Sequence, residues 1–169
     1  MSVSFINKLF KSKSNDDFCT AVVLAAGNSQ RMGKDKILMP LGGAPVIAHT
    51  LKALQSAECI DEIVVVTKYE RLQELADICH DHGISKASKV VVGGKTRLES
   101  SLIGVSNADE RAKYIAIHDG ARPFVTNSLI ERVVHSAHQH GASAPAVSAT
   151  DTVRILNVKL SLIHISEPT

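Results

Sequence analysis

The sequence predicts an α/β fold in which a mostly parallel, twisted sheet carries helices on both faces. Short apolar, β-branched runs alternate along the chain with stretches whose apolar residues recur at helical spacing. The run Ile63-Val64-Val65-Val66 is apolar at every position, as expected of a strand covered on both faces. Strands alternating with helices of this length imply βαβ units, and therefore parallel strands joined by right-handed crossovers.

The first strand is predicted just after Thr20, in Ala21-Val22-Val23-Leu24, and ends where Ala25-Ala26-Gly27 removes side-chain bulk. Pro40-Leu41-Gly42-Gly43 reads as a turn. Pro45 suits a helix start, with Val46, Ile47, Thr50, Leu51 and Leu54 on one stripe. A strand over 63–67 is followed by a helix over 69–82, with Leu72, Leu75, Ala76 and Cys79 inward and Gly83 at its end. A strand over 89–92 leads through Gly93-Gly94 to a helix over 97–107, with Leu98, Leu102 and Val105 expected inward. A strand over 114–118 breaks at Asp119-Gly120-Ala121-Arg122-Pro123. Thr126 or Asn127 caps the next helix, whose stripe includes Leu129, Ile130, Val133, Val134 and Ala137, and Gly141 closes it. A last strand is expected over 144–149, followed by Thr150-Asp151-Thr152.

At 169 residues the chain suits one domain with a sizeable core and is too short for two. A net charge of +2 is too weak to imply nucleic acid as a general partner, so attraction for phosphate must be local. Tryptophan is absent, which argues against a base-stacking platform for single strands. No run approaches the length of a membrane helix. Residues 1–17 are basic, without a secretory apolar core or small-residue cleavage site, and read as a flexible N-terminal extension. Cys19, Cys59 and Cys79 form no C-x-x-C, so buried thiols in a reducing compartment are the simplest account and the chain reads as cytoplasmic.

In an open parallel sheet, ligands gather outside the carboxyl ends of the strands. The segments there are 27–36, 93–101 and 119–123, with Asp151 and Thr152 after the last strand. Gly27 lets a ligand approach the backbone and permits positive φ, while Arg31, Lys34 and Lys36 supply charge beside it. This pattern suits a polyphosphate, although it is neither a P-loop nor a G-x-G-x-x-G fingerprint. A plain strand-to-loop turn with solvated lysines is the alternative. Asp119, at a strand end facing that loop, is a natural Mg²⁺ ligand; its alternative role is to cap the turn or pair with Arg122. His118 alternates away from Asp119 and reads as structural, and His135 and His138 read as solvated surface residues.

The segment AAGNSQRMGKDKILMPLGGAPVIAHTL resembles the nucleotide-binding signature of sugar-nucleotidyltransferases. With GGKTRLESSL and IHDGARPF, the resemblance narrows to the 2-C-methyl-D-erythritol 4-phosphate cytidylyltransferases, over about residues 19–154. It implies a Rossmann-like nucleotidyltransferase fold and transfer of CMP from CTP to a polyol phosphate, with release of pyrophosphate. By the same resemblance, Arg31 and Lys36 are catalytic, holding the triphosphate and stabilising its transition state. Ala25, Ala26 and Gly27 approach the nucleotide through their backbone, Gly93, Gly94 and Ser100 recognise cytosine, Asp119 binds Mg²⁺, and Arg122 and Thr152 serve the acceptor. Lys95 stands where some relatives carry an acid, and Ser101 replaces a common apolar residue.

The resemblance also implies a homodimeric parent, whose chain continues after about residue 156 into a β-arm that crosses to a second subunit. The segment VKLSLIHISEPT does not resemble that continuation. Residues 18–157 therefore read as a nucleotidyltransferase domain incomplete at its C-terminus, and 158–169 as a non-native tail. On this reading the fragment lacks the dimer arm and has low activity. Two other functions compete: a ribitol 5-phosphate cytidylyltransferase, and a nucleotide-binding module without turnover.

Overall fold

The computed structural model of the protein describes residues 17–27, 35–148, 153–156 and 162–166, the last two segments as backbone strands. Arg31, Lys34, Asp151 and Thr152, and nearly all of the extension 1–17, lie outside the described residues. The elements in order are β1 (Cys19–Leu24), β2 (Pro40–Leu41), β3 (Ala44–Pro45), α1 (Val46–Ser56), β4 (Glu62–Thr67), α2 (Leu72–Asp81), β5 (Ala87–Val92) and α3 (Arg97–Ser106). They continue as β6 (Tyr114–Asp119), α4 (Asn127–His140), β7 (Val153–Leu156) and β8 (Leu162–Ser166).

The central sheet has the order β5-β4-β1-β6, and every pairing in it is parallel. Parallel pairing needs a crossover between consecutive strands, and the helices supply it. Along β1 the side chains alternate. Ala21 and Val23 join Ile47, Leu51 and Leu54 of α1, Leu75 and Cys79 of α2, and Ile130 and Val134 of α4 in one core. Val22, with Val64 and Val66, forms the core of the opposite face, where α3 packs. Both faces are therefore covered, in line with the apolar run of β4.

The turn predicted at Gly42-Gly43 joins β2 to β3, with φ of 54° and 89°. Two consecutive left-handed residues suit a two-residue hairpin turn, which glycine allows without steric cost. α2 begins later than expected, because Tyr69–Arg71 forms a 3-10 turn ahead of it. Gly83 and Gly141 adopt positive φ beyond α2 and α4, as helix ends favour.

Two expectations are corrected. The strand expected over 144–149 is absent from its described part: residues 142–148 are irregular and mostly exposed, with Val147 95% exposed. Pro145 lacks the N–H that a sheet ladder needs, and the Ala and Ser side chains beside it bring little apolar area to bury. Among the described residues β6 is therefore an edge of the sheet. The face of α3 is also reversed. Leu98, Leu102 and Val105 are 70%, 57% and 39% exposed, and the face turned to the sheet is Ser100, Ser101 and Gly104. Small residues there let the helix axis approach the sheet closely. A Cβ on Gly104 would stand 2.2 Å from Val22 Cγ1, well inside contact distance.

At the amino edge of the sheet, Glu62 is buried yet well partnered. It accepts hydrogen bonds from Thr20 Oγ1 at 2.7 Å, Asp109 N at 2.8 Å and Ser88 Oγ, tying β1, β4, β5 and the loop before β6. Replacing it with leucine strands buried donors without acceptors. Glu62→Leu is expected to lower stability by about 2–3 kcal/mol, read as a lower urea midpoint at unchanged slope. In the same loop, hydrogen bonds from Arg111 hold the Asp109 carboxyl well below the usual carboxylate range, and Arg111 also lies over the Phe18 ring.

β7 and β8 pair antiparallel with each other and stand apart from the central sheet. His138 differs from the solvated residue expected, since its ring lies 3.9 Å from that of Tyr114 on β6. His135 is exposed, as expected. His118 is partly buried, and desolvation lowers its pKa, so its ring is disfavoured as a cation.

Candidate functional site

The carboxyl ends of all four central strands open on one rim. Backbone bonds continue the ladder past the strand ends and fasten the loops there. Ala25 N donates to Val66 O at 2.7 Å, Gly93 N to Thr67 O at 2.7 Å, and Gly120 N to Leu24 O at 2.9 Å. Thr50 Oγ1 of α1 donates to Gly120 O from beneath, at 2.9 Å. These bonds position segments that are up to about a hundred residues apart in sequence.

Between the loops lies a cleft of about 890 Å³, with Ala26, Gly27, Gly93, Gly94, Ser100 and Asp119 in its lining. The topology thus brings together six of the residues predicted from sequence. Arg122 reaches the same place through Asp119, its Nε donating to Oδ2 at 3.0 Å. Ala25 is buried behind the lining, 3% exposed. Lys36 is exposed in the 3-10 turn Lys36–Leu38, outside the cleft lining. Asp35 caps that turn and pairs with Arg71 at 3.0 Å, so the turn is tied to the chain that follows β4.

The glycines differ in their reasons. Gly27 has no positive φ, contrary to the freedom expected of it, and a Cβ there would meet nothing within 4 Å among the described residues. Its open front belongs to the cleft. Gly93 and Gly94 are small because the chain itself crowds them. A Cβ on Gly93 would stand 2.8 Å from both Ala26 Cβ and Ser100 Oγ, and one on Gly94 only 2.3 Å from Glu99 Cβ. Buried Ser100 accepts from Gly94 N at 3.2 Å, fixing the turn against α3.

That turn is held by a capping box that the sequence reading missed. Thr96 Oγ1 accepts from Glu99 N at 3.1 Å, while Glu99 Oε2 accepts from Thr96 N at 3.2 Å and from Lys95 N at 2.6 Å. The spacing Thr96-x-x-Glu99 before a helix is its sequence signature. Lys68 and Arg97 were missed too, and both line the cleft. Only the strand order reveals that Arg97 reaches Asp119: its Nη2 donates to Oδ1 at 3.0 Å.

Asp119 is therefore clamped between two guanidiniums. Partial burial pushes its pKa up, but hydrogen bonds from Arg97 and Arg122 outweigh that and hold the carboxyl below its ordinary value. It remains an anion at neutral pH. Among the described residues, no group of three or more His, Cys, Asp or Glu could hold a metal ion. Asp119 shares the cleft lining with Glu70 and with Glu99, whose Oε2 is taken up by the capping box. So small a set of hard carboxylates fits Mg²⁺, which commonly takes one or two and completes its shell with phosphate oxygens and water.

A second groove, of about 660 Å³, runs between α2 and β5 and includes Cys79 in its lining. Burial pushes the Cys79 thiol up to about 11, so it offers no thiolate nucleophile at neutral pH. No helix among the described residues is long and apolar enough to cross a membrane.

A family model described as IspD: 2-C-methyl-D-erythritol 4-phosphate cytidylyltransferase matches residues 19–167. A 2-C-methyl-D-erythritol 4-phosphate cytidylyltransferase of Clostridium botulinum (strain Langeland) is 37% identical over 142 residues, covering 83% of this chain and 62% of the relative. Its counterpart in Alkaliphilus oremlandii is 34% identical over 148 residues, covering 86% and 63%. The crystal structure of a 4-diphosphocytidyl-2C-methyl-D-erythritol synthase from Anaerococcus prevotii superposes with a TM-score of 0.79 at 25% identity, covering 91% of this chain and 65% of that one. The chain thus spans about 62% of the length of the first of these curated relatives.

Proposed function

Because the chain belongs to the 2-C-methyl-D-erythritol 4-phosphate cytidylyltransferase family, we propose that its rim cleft binds CTP and serves transfer of CMP to 2-C-methyl-D-erythritol 4-phosphate, with release of pyrophosphate. The observation that carries this reading is the meeting of Ala26, Gly27, Gly93, Gly94 and Ser100 with Asp119 around one cleft. In the reaction, an oxygen of the acceptor phosphate attacks the α-phosphorus of CTP, and the β,γ-pyrophosphate leaves with the bonding electrons.

The roles follow from what nucleotidyl transfer needs, which is positioning and charge aimed at the reacting phosphate. Gly93, Gly94 and Ser100 form the rigid turn that meets the cytosine, where backbone donors and acceptors discriminate against uracil. The backbone of Ala25, Ala26 and Gly27 faces the nucleotide. Arg31 and Lys36 hold the triphosphate and stabilise the charge that develops on it. Arg122 and Thr152 serve the acceptor. Asp119 would hold Mg²⁺, which neutralises phosphate charge when bound. A homodimeric parent and a cytoplasmic location belong to the same reading.

The test combines the chain with CTP, Mg²⁺ and 2-C-methyl-D-erythritol 4-phosphate and follows pyrophosphate. Release that depends on all three is expected; release only with ribitol 5-phosphate as acceptor would transfer the assignment to that substrate. One further reading is a module that binds nucleotide without turnover. Calorimetric CTP binding without pyrophosphate release supports the module, and turnover refutes it.

A further inference from the structure

Asp119 receives one guanidinium from its own loop and one from a different element, and the two are not equivalent. Arg122 lies three residues along, and its backbone N–H also bonds to Asp119 O at 3.2 Å, so this contact is local and anchored. Arg97 comes from the first turn of α3, spans 22 positions to reach Oδ1, and lines the cleft itself. Its side chain is 67% exposed and that of Arg122 is 73%, so both are open to a change of rotamer, and Arg97 is the one of the two that lines the cleft. A cation in the first turn of a helix also gains nothing from the helix dipole, which favours anions there. The ion pair with Asp119 is what keeps Arg97 folded over the rim.

The trio has consequences for what can enter. One carboxylate against two guanidiniums leaves a formal charge of +1 at the spot where a divalent cation would sit. Each carboxylate oxygen also accepts one guanidinium hydrogen bond. A bare divalent cation must therefore compete with two guanidiniums for the same carboxylate and meets net positive charge there. A polyphosphate reverses both conditions, because its oxygens compete for the guanidinium while bringing the negative charge that a cation needs.

We propose that Arg97 is a two-position residue. In the ligand-free protein it holds Asp119; when a nucleoside triphosphate enters, it passes from the carboxylate to the phosphate oxygens, and Asp119 is released to a divalent cation in the same event. The coupling is reciprocal, so the cation and the nucleotide each strengthen the other's binding through this one side chain. The inference rests on the reading of the cleft as a CTP site and adds to it a residue and an order of events.

A double-mutant cycle tests it, with CTP binding measured by calorimetry in EDTA so that no metal contributes. Asp119→Asn removes the pair and leaves Arg97 available, so CTP is expected to bind this variant about tenfold more tightly than the unaltered chain. In an Arg97→Ala background the same substitution is expected to gain about twofold or less, and Arg97→Lys is expected to restore part of the difference. An equal gain in both backgrounds would mean that only carboxylate–phosphate repulsion had been relieved, and would overturn the proposal. Inorganic triphosphate, measured in parallel, separates the two layers of the reading. If CTP fails to bind but triphosphate shows the Arg97-dependent gain, the nucleotide assignment falls and the switch stands; if neither ligand binds, both fall.

Discussion

Gly104→Val is expected to leave the domain unfolded or nearly so at 25 °C, with loss of the cooperative near-UV transition and a urea midpoint shifted by several molar or abolished. The Cβ alone would stand 2.2 Å from Val22 Cγ1 and 3.0 Å from Val66 Cγ2. Val22 and Val66 lie at the centre of the sheet and are fully buried, so neither can yield. Relief requires α3 to lift from the sheet, which uncovers Val22, Val64 and Val66 together. Overpacking of this kind costs about 1–3 kcal/mol when the surroundings adjust, and more when two elements must separate. Typical domain stabilities are only about 5–15 kcal/mol, so this one substitution removes a large part of the total. Gly104→Ala carries the same Cβ without valine's two γ-methyls, so it is expected to lower the urea midpoint in the same direction and by less. An unchanged urea midpoint in the valine variant would mean that α3 does not sit this close to the sheet.

The second large effect concerns turnover. On the proposed reading, Asp119→Ala is expected to lower the rate of Mg²⁺-dependent pyrophosphate release by about 10²–10³-fold, because the carboxylate that would hold Mg²⁺ beside the triphosphate is lost. Since Asp119 is 37% exposed on the rim and not in the core, the variant should keep its unfolding free energy to within about 0.5 kcal/mol. The expected signature is a fall in kcat that added Mg²⁺ does not restore, with CTP affinity in EDTA undiminished. A variant whose rate falls less than about threefold would remove Asp119 from the reaction.

Much of the architecture was legible because β1 and β4 are buried on both faces and so carry an unbroken apolar signature. α1 was legible for the complementary reason: its buried set, Ile47, Ala48, Thr50, Leu51 and Leu54, follows the helical period. α3 was misread because its stripe of Leu98, Leu102 and Val105 obeys that period while facing away from the sheet. Periodicity reports that a helix has an apolar side. It does not say which side meets the sheet, and here close approach over Gly104 decided the matter. The segment 144–149 is made of small residues with Pro145 among them, and strand pairing is a property of two segments that the composition of one does not contain.

The rim was legible as a set of loops, since open parallel sheets place ligands at the carboxyl ends of their strands. Which side chains touch across that rim was not. The Arg97–Asp119 pair depends on α3 crossing the sheet so that its first turn meets the end of β6, a fact of strand order and not of spacing. The Thr96–Glu99 box, by contrast, is local and was written in the sequence.

The outward leucines of α3 bear on how this molecule behaves in the tube. Leu98, Leu102 and Val105 give the native state an oily strip. Anilinonaphthalene dyes brighten on such strips, so the folded chain is expected to light them up before any denaturant is added. A fluorescence rise would then be a poor alarm for melting, and a charged residue at position 102 should dim the signal without moving the urea midpoint.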